Sequence, residues 1–297
     1  MIEVKNLTKT YSKVPVLENL NCKIKTGSIY GLVGANGAGK STLLRIINGV
    51  FRQDDGVILI DGKSNLDLKV KQEMVFLPDD LFFFSGYTLK KMAGFYAALY
   101  ERFDMQYFHE LSKLFKLDEN VKINSLSKGL KRQCAIVCAM ATCAKYIFLD
   151  ETFDGLDPVI RNVVKKVLAK HMAKYETTII MTSHNLRELE DICDNLGLLY
   201  KGGILFESDI DSLKTNMFKV QISLKEEFSK EDFKKLDIVS FKKTGSVATM
   251  VLKGDGVKLK SVLESLNPVI LDFLPLTLEE IFIYEMEVLG YEFEEFV

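Results

Sequence analysis

Gly34-Ala35-Asn36-Gly37-Ala38-Gly39-Lys40-Ser41 follows the spacing G-x-x-x-x-G-K-[ST]. The glycines admit positive φ and close backbone approach, so consecutive N–H groups can turn inward onto phosphate oxygens. A helix beginning behind the loop adds the positive end of its dipole to the same anion, and Thr42 belongs to that first turn. Lys40 can reach the β- and γ-phosphates of a nucleotide, and the Ser41 hydroxyl can ligate Mg²⁺. An ordinary glycine-rich turn is the plainer explanation, but an apolar run before the loop and a helical pattern after it supply the context that phosphate binding needs.

A second constellation is the apolar run Tyr146-Ile147-Phe148-Leu149 ending in Asp150-Glu151. The run alone describes the centre of a sheet. Two adjacent carboxylates at its carboxyl end are less easily explained that way, because ligands of open α/β sheets bind outside the carboxyl ends of the strands. Asp150 can hold Mg²⁺ through water. Glu151, one residue further out, can orient and deprotonate an attacking water.

These residues need elements to carry them. Ile2–Lys5 and Val16–Ile24 read as strands, Ser28–Val33 as the strand entering the glycine loop, and Lys40–Asn48 as the helix leaving it. Strands follow at Val57–Ile60 and Val75–Leu77, then helices at Leu89–Tyr100, Met105–Phe115 and Lys128–Thr142. Tyr146–Leu149, Thr177–Met181 and Gly197–Tyr200 read as strands, separated by helices at Val159–Ala173 and Leu186–Cys193. Such alternation predicts an α/β fold with a mainly parallel core sheet over residues 1–208. Beyond it the order is strand (Phe218–Leu224), helix (Lys230–Leu236), strands (Ile238–Lys242, Ala248–Leu252), helix (Val257–Leu266) and strand (Val269–Phe273). That order predicts a small α+β ferredoxin-like domain over 209–297. A last helix, Leu278–Glu287, starts behind a capping-box spacing at Thr277 and Glu280. The tail Tyr291–Val297 is acidic and aromatic and takes no assignment.

Apolar residues make up 47% of 297, enough for a sizeable core, and the formal charge of −2 advertises no nucleic-acid partner. The five cysteines form no Cys-x-x-Cys pair and fit free thiols in a reducing compartment; Cys134 and Cys138, four apart on a helix, are read as small buried hydrophobes. No apolar run reaches the ~18–20 residues of a spanning helix, so another chain must cross any membrane this one serves. His109 and His171 match no motif and read as surface or core residues.

Taken together, these motifs resemble the nucleotide-binding subunits of ABC transporters over residues 1 to about 208. Leu126-Ser127-Lys128-Gly129-Leu130 looks like the family signature, which implies that Ser127, Lys128 and Gly129 face ATP held by an opposite subunit. Gly155-Leu156-Asp157 resembles the D-loop, His184 the switch histidine, and Tyr11 the aromatic that stacks on adenine. The resemblance implies a P-loop ABC ATPase domain, with an antiparallel N-terminal sheet and a helical subdomain at about 80–143. It also implies ATP and Mg²⁺ as ligands, a homodimer or a heterodimer with a similar subunit, and a multi-span permease at the cytoplasmic face of the membrane. Catalysis would rest on Glu151 and His184.

Three positions depart from the family pattern, one of them Leu130, which stands where the signature normally has a glutamine. Lys128 stands where the signature normally has a glycine, and it either adds charge near a phosphate or faces water at a helix start. Asp79, after Val75-Phe76-Leu77-Pro78, stands where the family has a glutamine that touches Mg²⁺ and the attacking water; Asp79 is expected at that position as a further metal ligand. Just downstream, Phe83, Phe84 and Tyr87 lie where the family docks a permease helix, although a core cluster explains them equally well. Leu276-Thr277-Leu278-Glu279-Glu280-Ile281-Phe282 is similar to the closing segment of ABC-2 drug, bacteriocin and lantibiotic exporters. That resemblance implies export of a drug or an amphipathic peptide, as in phenol-soluble-modulin exporters. The competing readings are a catalytically weak sensor subunit, suggested by Asp79 and the altered signature, and a soluble ABC ATPase of ribosomes or DNA. The single module and the charge balance argue against the second.

Overall fold

Alternating apolar and polar residues build the first two strands, β1 (Ile2–Tyr11) and β2 (Val14–Ile24), an antiparallel pair that buries Leu7, Leu17 and Leu20. β3 (Ile29–Val33) is buried along its whole length and leads through the glycine loop into α1 (Lys40–Ile47). β4 (Asp55–Ile60) returns beside β1, and β5 (Lys63–Ser64) pairs with β4 across the Asp61-Gly62 turn. α2 (Leu68–Gln72) and β6 (Met74–Leu77) follow. Three helices then interrupt the strands: α3 (Leu89–Leu99), α4 (Met105–Leu114) and α5 (Lys128–Ala141). The chain resumes with β7 (Tyr146–Leu149), α6 (Pro158–Tyr175), β8 (Thr178–Ser183), α7 (Leu186–Glu190), β9 (Asn195–Tyr200) and β10 (Gly203–Asp209).

This computed structural model describes residues 1–288, and the chain divides into two units, Met1–Glu207 and Ser208–Val297. In the first unit, strands in the order β2-β1-β4-β5 form one sheet and β10-β9-β3-β8-β7-β6 the other. The pairings of β3 with β8 and β9, of β6 with β7 and of β7 with β8 are parallel. β3, β7 and β8 are wholly buried; β3 and β7 read as continuous apolar runs rather than alternating ones, while β8 adds the buried hydroxyls of Thr178, Thr182 and Ser183. Each large side chain there contributes about 1.5–3 kcal/mol by leaving water.

Register decides what gathers at the carboxyl edge. Val33 lies opposite Ser183, Leu149 opposite Met181, and Leu77 opposite Leu149. The glycine loop, Asp150-Glu151, Thr182–His184 and Pro78-Asp79 therefore leave the sheet along one edge.

The second unit comprises α8 (Ile210–Asn216), β11 (Met217–Ser223), β12 (Asp237–Thr244), β13 (Val247–Lys253), α9 (Gly256–Glu264), β14 (Ile270–Leu274) and α10 (Leu278–Val288). Its sheet runs β12-β13-β11-β14 with every pair antiparallel. One face packs Val220, Ile222, Met250 and Leu252 against Phe233, Leu259 and Leu263.

Several elements differ from their sequence expectation. Lys230–Phe233 is a 3-10 turn closed by a Ser229/Asp232 capping box, not a helix to Leu236. The helix expected to reach Cys193 stops at Glu190, where the Ile192 and Cys193 N–H groups both turn back to the Leu189 carbonyl. β5, α2, β10 and α8 were not anticipated. The tail Tyr291–Val297 lies outside the described residues.

Candidate functional site

The loop after β3 enters α1 through Gly39, whose φ of 106° no side chain would adopt without strain. Lys40 is buried and donates to the Gly34 carbonyl at 2.6 Å and to that of Ala35 at 3.3 Å, which folds its ammonium over the loop. Ala35, Asn36 and Gly37 are exposed along the loop, Ala38 is half-buried, and Ser41 and Thr42 open the helix half-buried.

Ser41 Oγ donates to Asp150 Oδ1 at 3.0 Å. Thr182 Oγ1, on β8, donates to the same oxygen at 2.7 Å and accepts the Glu151 N–H at 3.0 Å. One buried hydroxyl thus holds both carboxylate residues, and sequence reasoning passed it over because a threonine in an apolar strand reads as β-branched filler. Asp150 is fully buried and its Oδ2 has no partner. An unpartnered buried carboxylate oxygen beside a serine hydroxyl fits Mg²⁺, which draws its remaining ligands from phosphates and water. The described residues contain no cluster of three or more His, Cys, Asp or Glu groups placed to hold a metal.

Glu151 sits in the left-handed region at φ 45°, a strained setting for this residue type. Its Oε2 lies 2.9 Å from His184 Nδ1 and its Oε1 lies 3.6 Å from Lys40 Nζ. The glutamate is mostly shielded while the histidine is 55% exposed, so the pair opens toward solvent. Behind it, Arg161 bridges to Glu188 at 2.8 Å, and Glu188 accepts from Ser183 at 2.8 Å. This ties α6 to the segment that carries His184.

Ser127 caps α5, accepting the Leu130 N–H at 3.3 Å. Gly129 packs on the chain after Glu151: a Cβ there would lie 2.9 Å from the Gly155 carbonyl oxygen. Lys128 stands largely in water at the start of α5 and donates to Asp154 on the loop after β7 at 2.7 Å. Asp157 caps α6, accepting from Val159 and Ile160 N–H. Tyr11 is 40% exposed and meets Phe51 edge-on at 6.4 Å.

Two of the expected positions have neighbours that the sequence did not indicate. The Asp79 carboxylate, expected as a metal ligand, is half exposed and accepts from Arg132 Nη2 at 2.8 Å through Oδ1. In the aromatic run, Phe83, Phe84 and Tyr87 are half-buried, and the ring presented to solvent is Phe82, 74% exposed. Phe84 packs against Phe82, Tyr87 and Phe95 with centroids 5.5, 5.0 and 5.1 Å apart. The cysteines are free and buried; burial pushes the Cys22 and Cys134 thiols up to about 12. His109 lies at the surface beside Glu119, and His171 is in the core.

Residues 17–154 match the ABC transporter family model. The chain is 33% identical over 284 residues to the ABC transporter ATP-binding protein YtrB of Bacillus subtilis, covering 95% of this chain and 97% of that one. It is 30% identical to the lantibiotic transport ATP-binding protein SrtF of Streptococcus pyogenes (71% and 92% covered). It is 31% identical to the methionine import ATP-binding protein MetN of Clostridium acetobutylicum (73% and 71% covered). Among solved structures, the dimeric post-hydrolysis ATP-binding cassette MJ0796 bound to ADP and Pi superposes with a TM-score of 0.65 at 25% identity, covering 71% of this chain and 99% of that one.

Proposed function

The chain belongs to the ABC transporter family as an ATP-binding, ATP-hydrolysing subunit, and on that premise we propose how its residues share the work. The observation that carries the proposal is the single edge on which Lys40, Ser41, Asp150, Thr182, Glu151 and His184 meet. Backbone N–H groups of Gly34–Gly39 and the start of α1 receive the phosphates, and Lys40 exchanges loop carbonyls for β- and γ-oxygens. Ser41 and Asp150 would hold Mg²⁺, which would supply positive charge to offset that of the phosphates. Glu151 orients the attacking water and takes its proton, while His184 fixes the Glu151 carboxylate. Tyr11 stacks on adenine.

Ser127 and Gly129 face the nucleotide of a second subunit, like or similar, so two ATP molecules close the dimer and hydrolysis opens it. The dimeric MJ0796 cassette supports this arrangement. The aromatic face around Phe82 and Phe84 receives a helix of a multi-span permease at the cytoplasmic face of the membrane. No helix among the described residues is long and apolar enough to cross a membrane itself. The likeness to SrtF and the closing segment Leu276–Phe282 support export of an amphipathic peptide or a drug; the likeness to MetN shows that similar cassettes serve import.

The test is Glu151→Gln in the full chain. Turnover should fall by about 10²–10⁴-fold, and ATP should trap a dimer resolvable by size-exclusion chromatography. Hydrolysis close to that of the parent chain would remove Glu151 as the base. For the cargo, cells lacking the chain should become sensitive to amphipathic peptides, and unchanged sensitivity would sink the export reading.

A further inference from the structure

We propose that Asp79 is a positioning residue: with Arg132, Lys128 and Asp154 it forms an ionic clamp that fixes the first two turns of α5 to the loops after β6 and β7. The inference rests on the reading that Ser127 and Gly129 serve a partner's nucleotide.

Lys128 and Arg132 are one helical turn apart and share a face of α5. Each reaches a carboxylate on a different loop: Lys128 Nζ to Asp154 Oδ2 at 2.7 Å, Arg132 Nη2 to Asp79 Oδ1 at 2.8 Å. Arg132 Nη1 also donates to the Pro78 carbonyl at 3.3 Å, so both of its acceptors come from the loop after β6. The Asp154 carboxyl is held below the usual range by the hydrogen bond from Lys128, and the charge of Arg132 adds to the effect. Between the two pairs, Gly129 meets the Gly155 carbonyl. Lys128 and Asp79, two of the positions that depart from the family pattern, are thus members of one device.

The two pairs differ in weight. Lys128 and Asp154 stand largely in water, where an ion pair adds little. Arg132 is 1% exposed and its Nε has no partner, so its charge depends on the carboxylate it touches. Because Asp79 is itself 49% exposed, removing Asp79 strands the buried guanidinium and is the costlier change, whereas removing Arg132 returns the carboxylate to water. A neutral amide at position 79 could accept a hydrogen bond but could not balance the guanidinium. The loop after β6 therefore cannot move without drawing on the helix that begins at Ser127, and the Asp79 oxygen engaged by Arg132 would not be free for a cation held at Asp150.

The experiment uses the full chain with Asp79→Asn, Arg132→Gln, the double variant, and Asp79→Glu. Urea midpoints should fall for each single variant, and the double variant should fall no further than the worse single one. Additive losses would overturn the pairing, and this readout does not depend on catalysis. In ATPase assays, Asp79→Asn should raise the ATP concentration for half-maximal rate by about fivefold or more, leave the Mg²⁺ half-saturation within about twofold of the parent, and be rescued by Asp79→Glu. A rise of about tenfold or more in the Mg²⁺ requirement, or unchanged ATP dependence, would overturn the positioning role. Should Arg132→Gln fail to fold, the Asp79 variants decide alone. Absence of hydrolysis in the parent chain would instead count against the function proposed above, leaving the unfolding cycle to judge the clamp.

Discussion

Thr182 shows how much of the chemistry hangs on one side chain that carries no charge. Its hydroxyl donates to Asp150 and accepts from the Glu151 backbone, so it sets the direction of one carboxylate and the backbone of the other. Thr182→Val keeps the shape and removes both bonds, leaving a buried donor and a charged acceptor short of a partner. A loss of about 1–3 kcal/mol at the transition state corresponds to a fall in kcat of about 5- to 150-fold, with the ATP half-saturation little changed and Thr182→Ser close to the parent. Steady-state ATPase kinetics check this, and a valine variant at full rate would remove Thr182 from the mechanism. At this scale the sequence announces groups whose neighbours are local, such as Lys40 behind its glycines and Glu151 beside Asp150. It is silent on pairs made across the fold, because nothing near Asp79 in the chain points to Arg132, and nothing near Asp150 points to Thr182.

Elements long enough to show a full period were readable. β7 was read at its observed bounds, and α3, α4 and α5 differ from expectation by one residue at the end. The unanticipated elements are mostly too short to repeat a pattern: β5 has two residues, α2 five and α8 seven. Packing between elements was not legible at all. On α6, His171 stacks on Tyr107 of α4 at 5.7 Å and meets the tilted ring of Tyr175 at 4.7 Å. Burial, aided by the charges of Lys174 and Arg102, pushes its ring down to about 4. The unfolded ring titrates near about 6.5, so between these values the unfolded chain binds a proton that the folded one refuses. Stability from this site is complete above about pH 6.5 and declines as the pH falls toward about 4. Replacing the ring with an uncharged one in His171→Phe should flatten that decline. Urea midpoints at pH 7 and pH 5 measure it, and an equal drop in parent and variant would refute it.

For the whole molecule, the question is how a chain whose described residues include no helix long and apolar enough to cross a membrane would engage the membrane partner proposed for it. The exposed ring of Phe82, backed by Phe84, Tyr87 and Phe95, offers an apolar foothold. Phe82→Glu should leave the unfolding midpoint near that of the parent, since the ring is mostly in water, while co-purification with a multi-span membrane protein is lost. Retained co-purification would place the contact elsewhere. Phe82 could not be distinguished from Phe83 in the sequence, because three consecutive phenylalanines carry no period from which to choose the outward one. Finally, the left-handed backbone at Glu151 bears on how this protein would respond to laboratory selection. A glycine or asparagine relaxes that conformation, so a screen rewarding heat resistance alone should enrich replacements there. Survivors would be sturdier and inert, so any campaign to harden this protein must score turnover in every round.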